Sequence, residues 1–444
     1  MPAFGEPRRA FADLSTWLDD RLATMGVPGA ALGVIVGNRL FTHAYGVEKV
    51  DSVQPVSSAT TFRVASLTKV FTAAAVARLA NAGQIDVQRP VRTLLAGFDV
   101  ADAETGATVT TAHLLSHSGG WADALECDAA HDELGYYVDR MSELPQVAPV
   151  GRYLSYSNTG YLLVGHLLAT ISGRDYEAVI RSEVTGPLGL DSTGFASEDL
   201  VSGRFAHGHA VGDDGPVLVE GDTPRAANPA YGLMSSVDDL LSFLRVQLDA
   251  VGSSPSPFAD MLRPLGNGGS VGPTVVDHIG MGWMLRDAGG HPIAMSQGSD
   301  AGYCAGMAFA PADGFAVVVL TNSDAALMLV NETLWRGVSL FVGATVPTPH
   351  PAALYSADLE AASGTFALWD GMTFEVRAEG GGLALFATLG GEPLPELTGP
   401  LTMTDSARGC RAALGGQVWF DFVRGDGGNV DWLRFAGRLA PRVG

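Results

Sequence analysis

Lysine is almost missing from this chain: only Lys49 and Lys69 stand among 27 basic residues, and the other 25 are arginine. A lysine kept in such a background points to chemistry that arginine cannot supply. Arginine holds its proton near neutral pH, whereas lysine gives it up once burial or a neighbouring charge lowers its pKa. Cysteine is nearly as scarce. Cys127, Cys304 and Cys410 are too few and too widely spaced for a disulfide framework or a CxxC metal knuckle, and read as buried thiols. Positive charge is also short. A formal net charge of -21 argues against a nucleic-acid backbone or an anionic membrane as partner and reads as a solvated acidic surface. No run reaches the roughly 20 apolar residues of a membrane span. The N-terminal "MPAFGEPRRAFADLSTWLDD" carries charges where a signal peptide needs an apolar core, so the expectation is a soluble, cytoplasmic protein. His207 and His209 form an HxH with no acidic or cysteine cluster nearby in sequence, and neither a metal nor a cofactor is expected.

At 444 residues the chain is long enough for two domains, one large and one small. Residues 7–25 have helical spacing, and "GAALGVIVGNRLFTHAYGV" reads as two apolar strands joined at Gly37-Asn38. From Lys69 to Ala82 the run is apolar on nearly all sides and stops before Gly83, which predicts a fully buried helix. Helical and loop-rich sequence follows, an insertion over about 75–265, and strand character returns near 303–322 to complete the opening sheet. The glycine-rich "GNGGSVG" lacks the GK[ST] of a phosphate loop and reads as a flexible turn. Pro347, Pro349 and Pro351 mark a linker. The reading is therefore an α/β domain over 1–346, an antiparallel sheet flanked by helices, followed at 352–444 by a small antiparallel β barrel or sandwich in which Phe374, Val376 and Ala378 alternate with polar neighbours.

Ser66 and Lys69 stand three apart at the start of the predicted helix, so their side chains share one face. A serine hydroxyl is a poor nucleophile until its proton is taken, and a buried lysine within reach can take it. The helix start aims free backbone N–H groups at Ser66 and favours negative charge there. In "YLSYSNTGYLLVGHLL", Tyr156 and Asn158 precede a second apolar helical run. A tyrosine beside a lysine can serve as a base through its stabilised phenolate, and an asparagine can hold both an amide and the lysine. Alone, Tyr-Ser-Asn is an ordinary helix-capping loop. The pairing with Ser-x-x-Lys is what carries weight.

Ser66-x-x-Lys69 followed by Tyr156-x-Asn158 resembles the serine β-lactamase and penicillin-binding-protein-like family, in particular its class C β-lactamase, D-aminopeptidase and esterase group. "LLSHSGGW" (114–121), "GLDSTGF" around Leu190 and "YGLMSSVDDLLSFL" (231–244) are similar to further segments of that family, in the same order, over roughly residues 10–340. The region after residue 352 resembles the lipocalin-like appendage of such proteins. The resemblance implies that Ser66 is acylated, that Lys69 is its proton partner, that Tyr156 returns the proton to the leaving group and that Asn158 orients substrate and lysine. The family's third motif, Lys or His then any residue then Gly, falls at Ser296-Gln297-Gly298, where a neutral hydroxyl replaces the cation that would hold a substrate carboxylate. Ser296, Gln297, Gly298 and Trp121 are the expected substrate-binding residues. The backbone N–H groups of Ser66 and Ser299 are the expected oxyanion hole, with Asp300 as second donor if the motif is instead Gln297-Gly298-Ser299.

The implied activity is hydrolysis of an amide or ester of a small molecule or peptide through acyl-Ser66. Transfer of the acyl group to an amine, as in penicillin-binding-protein-type thioesterases with carrier-bound substrates, is the alternative, and a degenerate binding protein is the third reading. An α/β-hydrolase is disfavoured because no GxSxG elbow occurs.

Overall fold

The computed structural model describes residues 6–195, 203–212, 215–251, 256–345 and 351–443. Helix α1 (Pro7–Met25) ends at Gly26, which takes a left-handed φ of 66°. Strands β1 (Gly29–Val36) and β2 (Arg39–Gly46) form the expected hairpin. After the insertion come β3 (Gly266–Val271), β4 (Thr274–Ile279), β5 (Met284–Asp287), β6 (Pro292–Asp300), β7 (Tyr303–Ala310) and β8 (Phe315–Thr321), which close one antiparallel sheet in the order β2-β1-β8-β7-β6-β5-β4-β3. The sheet is thus completed from residue 266 onward rather than from 303 alone.

"GNGGSVG" is not a flexible turn: it holds the whole of the edge strand β3 and ends at Gly272. Its glycines are demanded by crowding: a Cβ on Gly268 would meet the carbonyl oxygen of Val276, and one on Gly269 the guanidinium of Arg434. Nothing in the local sequence announces either neighbour.

Both faces of the sheet are covered, so its central strands are apolar at consecutive positions. On one face Leu32, Val34, Val317 and Val319 pack with α1 and the helix Leu327–Val342. Together with its leading turn this makes a run, Asp324–Val342, that by length and composition could cross a membrane, although it carries Asp324, Glu332 and Arg336; half of its most apolar window is buried within the fold. On the other face Ala31, Ile35, Val318 and Leu320 pack against the insertion, which contains α2 (Thr68–Asn81), α3 (Asn158–Ser172) and α4 (Val237–Ala250). Helix α2 is buried from Thr68 through Ala77, as its apolar run predicts. The helix Leu327–Val342, which follows β8, is α5.

The proline-rich stretch over 346–350 lies outside the described residues. Beyond it β9 (Gly364–Ala367), β10 (Met372–Glu379) and β11 (Gly382–Leu389) form one antiparallel sheet, and β12 (Arg408–Ala413), β13 (Gly416–Arg424), β14 (Val430–Phe435) and β15 (Arg438–Pro441) another. The sheets meet where Val443 N donates to Thr365 O and where Leu401 N donates to Leu383 O. Phe366, Phe374, Phe420 and Phe422 fill the space between them.

His209 uses both ring nitrogens in structural bonds, Nε2 accepting from Val50 N at 3.1 Å and Nδ1 facing Asn322 O at 3.0 Å. Among the described residues no three His, Cys, Asp or Glu side chains converge.

Candidate active site

Ser66, the expected nucleophile, sits on a strained turn. Ala65 takes φ 47°, unfavourable for a residue with a Cβ, and Ser66 lies in the single 3-10 turn Ala65–Leu67 that leads into α2. Thr68 holds this turn in place: its hydroxyl donates to Ala65 O at 2.6 Å and accepts from Leu233 N at 3.0 Å. Strand β6 then presses on it from the sheet. A Cβ at Gly298 would lie 2.6 Å from Val64 O and 2.7 Å from Ser66 N, so only glycine allows this approach.

Lys69 is 2% exposed, and burial pulls its pKa down from 10.5, with Tyr156 pushing back. Its Nζ lies 3.1 Å from Ser66 Oγ, 2.8 Å from Asn158 Oδ1 and 2.8 Å from Ala230 O. The last two are pure acceptors. A neutral amine has two N–H bonds to give them and one lone pair left for the Ser66 hydroxyl proton, so the partners of Lys69 suit a proton acceptor.

Tyr156 enters from the loop before α3, whose N-cap is Ser157, its hydroxyl accepting from Gly160 N at 3.0 Å. The loop is therefore both a helix cap and part of the site. The Tyr156 ring is a shared face: Lys69 Nζ lies 4.9 Å from its centroid, the Arg438 guanidinium 5.3 Å, and the His117 ring stacks at 4.2 Å. His117 Nδ1 accepts from Ser157 N at 3.1 Å, which fixes the neutral tautomer with its proton on Nε2. Burial, with Lys69 and Arg438 close by, drives the His117 pKa down to about 3. It is a neutral spacer behind the tyrosine at any ordinary pH.

Ser66, Lys69, His117, Tyr156, Asn158, Ser296, Gln297, Gly298 and Ser299 all line one cavity of about 250 Å³, whose far wall is apolar: Val271, Ile279, Trp283, Met284 and Leu327. Ser296 is 5% exposed and shares the site face of β6 with Gly298. That alternation favours the Ser296-Gln297-Gly298 register and Ser299 over Asp300. Gln297 lines the cavity while its amide donates to Asn331 Oδ1 on α5 at 2.7 Å, which ties β6 to that helix. Trp121 is displaced from its expected role. It is 2% exposed, its indole N–H donates to Ser157 Oγ at 3.2 Å, and it lies under the tyrosine loop, not at the cavity wall.

Three functional groups escape sequence reasoning. His117 stands inside "LLSHSGGW" without a signal for its stacking. Asp123 accepts from Thr159 N at 2.9 Å and from Arg438 at 2.8 Å; burial alone would raise its pKa, but the guanidinium and N–H donors overcome this and hold it below the carboxylate range. Arg438 belongs to the C-terminal sheets, and with Ala436 it lines the cavity. A cation thus reaches the site, although not at position 296. Its place depends on how the second unit docks, which no local pattern encodes. A second cavity, of about 420 Å³, opens on the other side of Ser66 and Arg438 and carries Glu126, Asp300 and Asp370.

A family model described as Beta-lactamase matches residues 14–337. Penicillin-binding protein 4 of Amycolatopsis lactamdurans is 29% identical over 355 residues, covering 77% of this chain and 93% of the relative. Among solved structures, SurE superposes with a TM-score of 0.79 at 23% identity, covering 99% of this chain and 100% of that one, C-terminal sheets included. D-amino acid amidase from Ochrobactrum anthropi, solved with D-phenylalanine, superposes with a TM-score of 0.65 at 23% identity over 76% of this chain and 99% of its own.

Proposed function

The chain belongs to the beta-lactamase family, whose members are serine hydrolases, and from that premise we propose that it cleaves an amide or ester with an apolar acyl group through acyl-Ser66. The observation that carries this is the placing of Lys69 Nζ between Ser66 Oγ and two acceptor oxygens in a buried site. Neutral Lys69 takes the hydroxyl proton as Ser66 Oγ bonds to the substrate carbonyl carbon. The carbonyl oxygen becomes an oxyanion facing the backbone N–H groups of Ser66 and Ser299. The tetrahedral intermediate collapses, the bond to the leaving nitrogen or oxygen breaks, and the departing atom takes a proton by way of Tyr156. Water then attacks the acyl carbon, releases the acid and returns the proton to Ser66.

The apolar wall of Val271, Ile279, Trp283 and Met284 suits a hydrocarbon acyl side chain, and Ser296 offers a hydrogen bond instead of a charge. Transfer to an amine is favoured by one observation, the second cavity at Ser66 with its acidic residues, which fits a cationic acceptor as it arrives. The net charge of -21 disfavours an acidic carrier protein as donor.

The test is a stopped-flow series with p-nitrophenyl esters of acetate, hexanoate, D-Leu and D-Phe, the last two chosen because SurE and the amidase were solved with those amino acids. A burst equal to the enzyme concentration, larger kcat/KM for the apolar acyl groups, and partition toward amide when an amine is added would support the reading. Turnover retained in Ser66→Ala would overturn it.

A further inference from the structure

The loop that carries Tyr156 is held largely by the C-terminal sheets. Tyr156 N donates to Gly437 O at 2.8 Å, Arg434 Nε to Leu154 O at 3.0 Å, and Leu439 N to Ser155 Oγ at 3.3 Å. Further back, Trp432 Nε1 donates to Val147 O at 2.7 Å. The β14–β15 hairpin supplies all four contacts. Its tip, Ala436-Gly437, has φ 48° and 86°, the left-handed pair of a tight two-residue turn, and so places the Gly437 carbonyl against the tyrosine backbone. The approach is close enough that a Cβ on Gly437 would sit 3.0 Å from Tyr156 Cβ.

The hairpin is in turn pinned to the catalytic sheet. Asp421 on β13 accepts from Arg434 at 2.6 Å, from Arg408 at 2.6 Å and from Ser270 N on β3 at 2.7 Å. This buried triad joins the edge strand, the second unit and the tyrosine loop in one polar network. A tyrosine whose own N–H, the carbonyl two residues before it and the hydroxyl of its neighbour are satisfied by another unit depends on that unit for its position.

We propose that the β14–β15 hairpin is a positioning element for Tyr156, with Gly437 its contact residue, so that proton delivery to the leaving group requires the docked C-terminal sheets. This rests on the acyl-Ser66 reading above. The discriminating readout is the leaving group: an anilide needs a proton as it departs, whereas p-nitrophenolate does not. Gly437→Ala should lower the acylation rate constant on the anilide about tenfold or more while changing the burst (acylation) rate constant on the p-nitrophenyl ester of the same acyl group less than about threefold. In a Tyr156→Phe background the added loss should vanish to within about twofold, because the group being positioned is gone. Gly415→Ala is the control, another left-handed glycine of the same sheets (φ 79°) with nothing within 4 Å of its added Cβ, and should leave both substrates unchanged. If Gly437→Ala does not fold, Trp432→Phe, which removes the bond to Val147 O, carries the same comparison.

Equal loss on both substrates, loss that multiplies with Tyr156→Phe, or no loss at all would overturn the positioning role. Failure of the wild-type protein to acylate Ser66 would overturn the reading beneath it as well, and is seen separately as turnover that survives Ser66→Ala.

Discussion

His117 should make the protein acid-sensitive in a way that one substitution isolates. Its folded pKa lies near 3 against an ordinary 6.5. Between those values the unfolded chain binds a proton that the folded chain refuses, so stability is present above pH 6.5 and is lost as pH falls through the window. At 1.36 kcal/mol per unit, one unit below 6.5 removes about 1 kcal/mol, and the whole window several times that. His117→Asn is the informative variant. Asn tolerates the left-handed φ of 55° found here, and its Oδ1 stands where Nδ1 accepts the Ser157 N–H, but it does not titrate. Urea melts of both proteins at pH 7.5 and 5.5, above the sequence pI of 4.7, give the comparison. Wild type should lose about 1 kcal/mol more than the variant between the two pH values. Equal losses would refute the buried neutral imidazole, and with it the assigned tautomer.

Other consequences follow from the same geometry. Lys69→Arg should reduce acylation at least about a hundredfold despite keeping the charge, and in wild type the acylation rate should rise with pH to a midpoint below 10.5 because burial lowers the lysine pKa; a pH-independent rate or an active Lys69→Arg enzyme would exclude Lys69 as the base. Asp421→Asn leaves Arg434 buried without its countercharge and should cost about 3–5 kcal/mol in urea unfolding, whereas a change below about 1 kcal/mol would show that the triad does not bind the units together.

The chemistry of the site was legible wherever it depends on local spacing. Ser66 and Lys69 meet because one helical turn separates them, and Asn158 reaches the lysine because it opens the next buried helix. The β1–β2 hairpin was readable from Gly37-Asn38, and α2 from its unbroken apolar run. What failed was long-range. Trp121 looked like a wall of the cleft because an exposed aromatic and a core aromatic share one sequence pattern; only the bond to Ser157 tells them apart. The glycines of β3 resembled a turn because one crowding group, the Val276 carbonyl, is supplied by the partner strand of the hairpin and the other, the Arg434 guanidinium, lies far away in the chain. Arg438 carried no signal, since a hairpin arginine acquires its role only when its unit docks beside Asp123.

The central claim is that Ser66 is a nucleophile activated by Lys69. Intact-protein mass after incubation with a fluorophosphonate, for wild type, Ser66→Ala and Lys69→Ala, tests it most directly. One adduct on wild type, none on either folded variant, and peptide mapping to Ser66 is the predicted result. No adduct on folded wild type, or an adduct that persists in Ser66→Ala, would contradict the account.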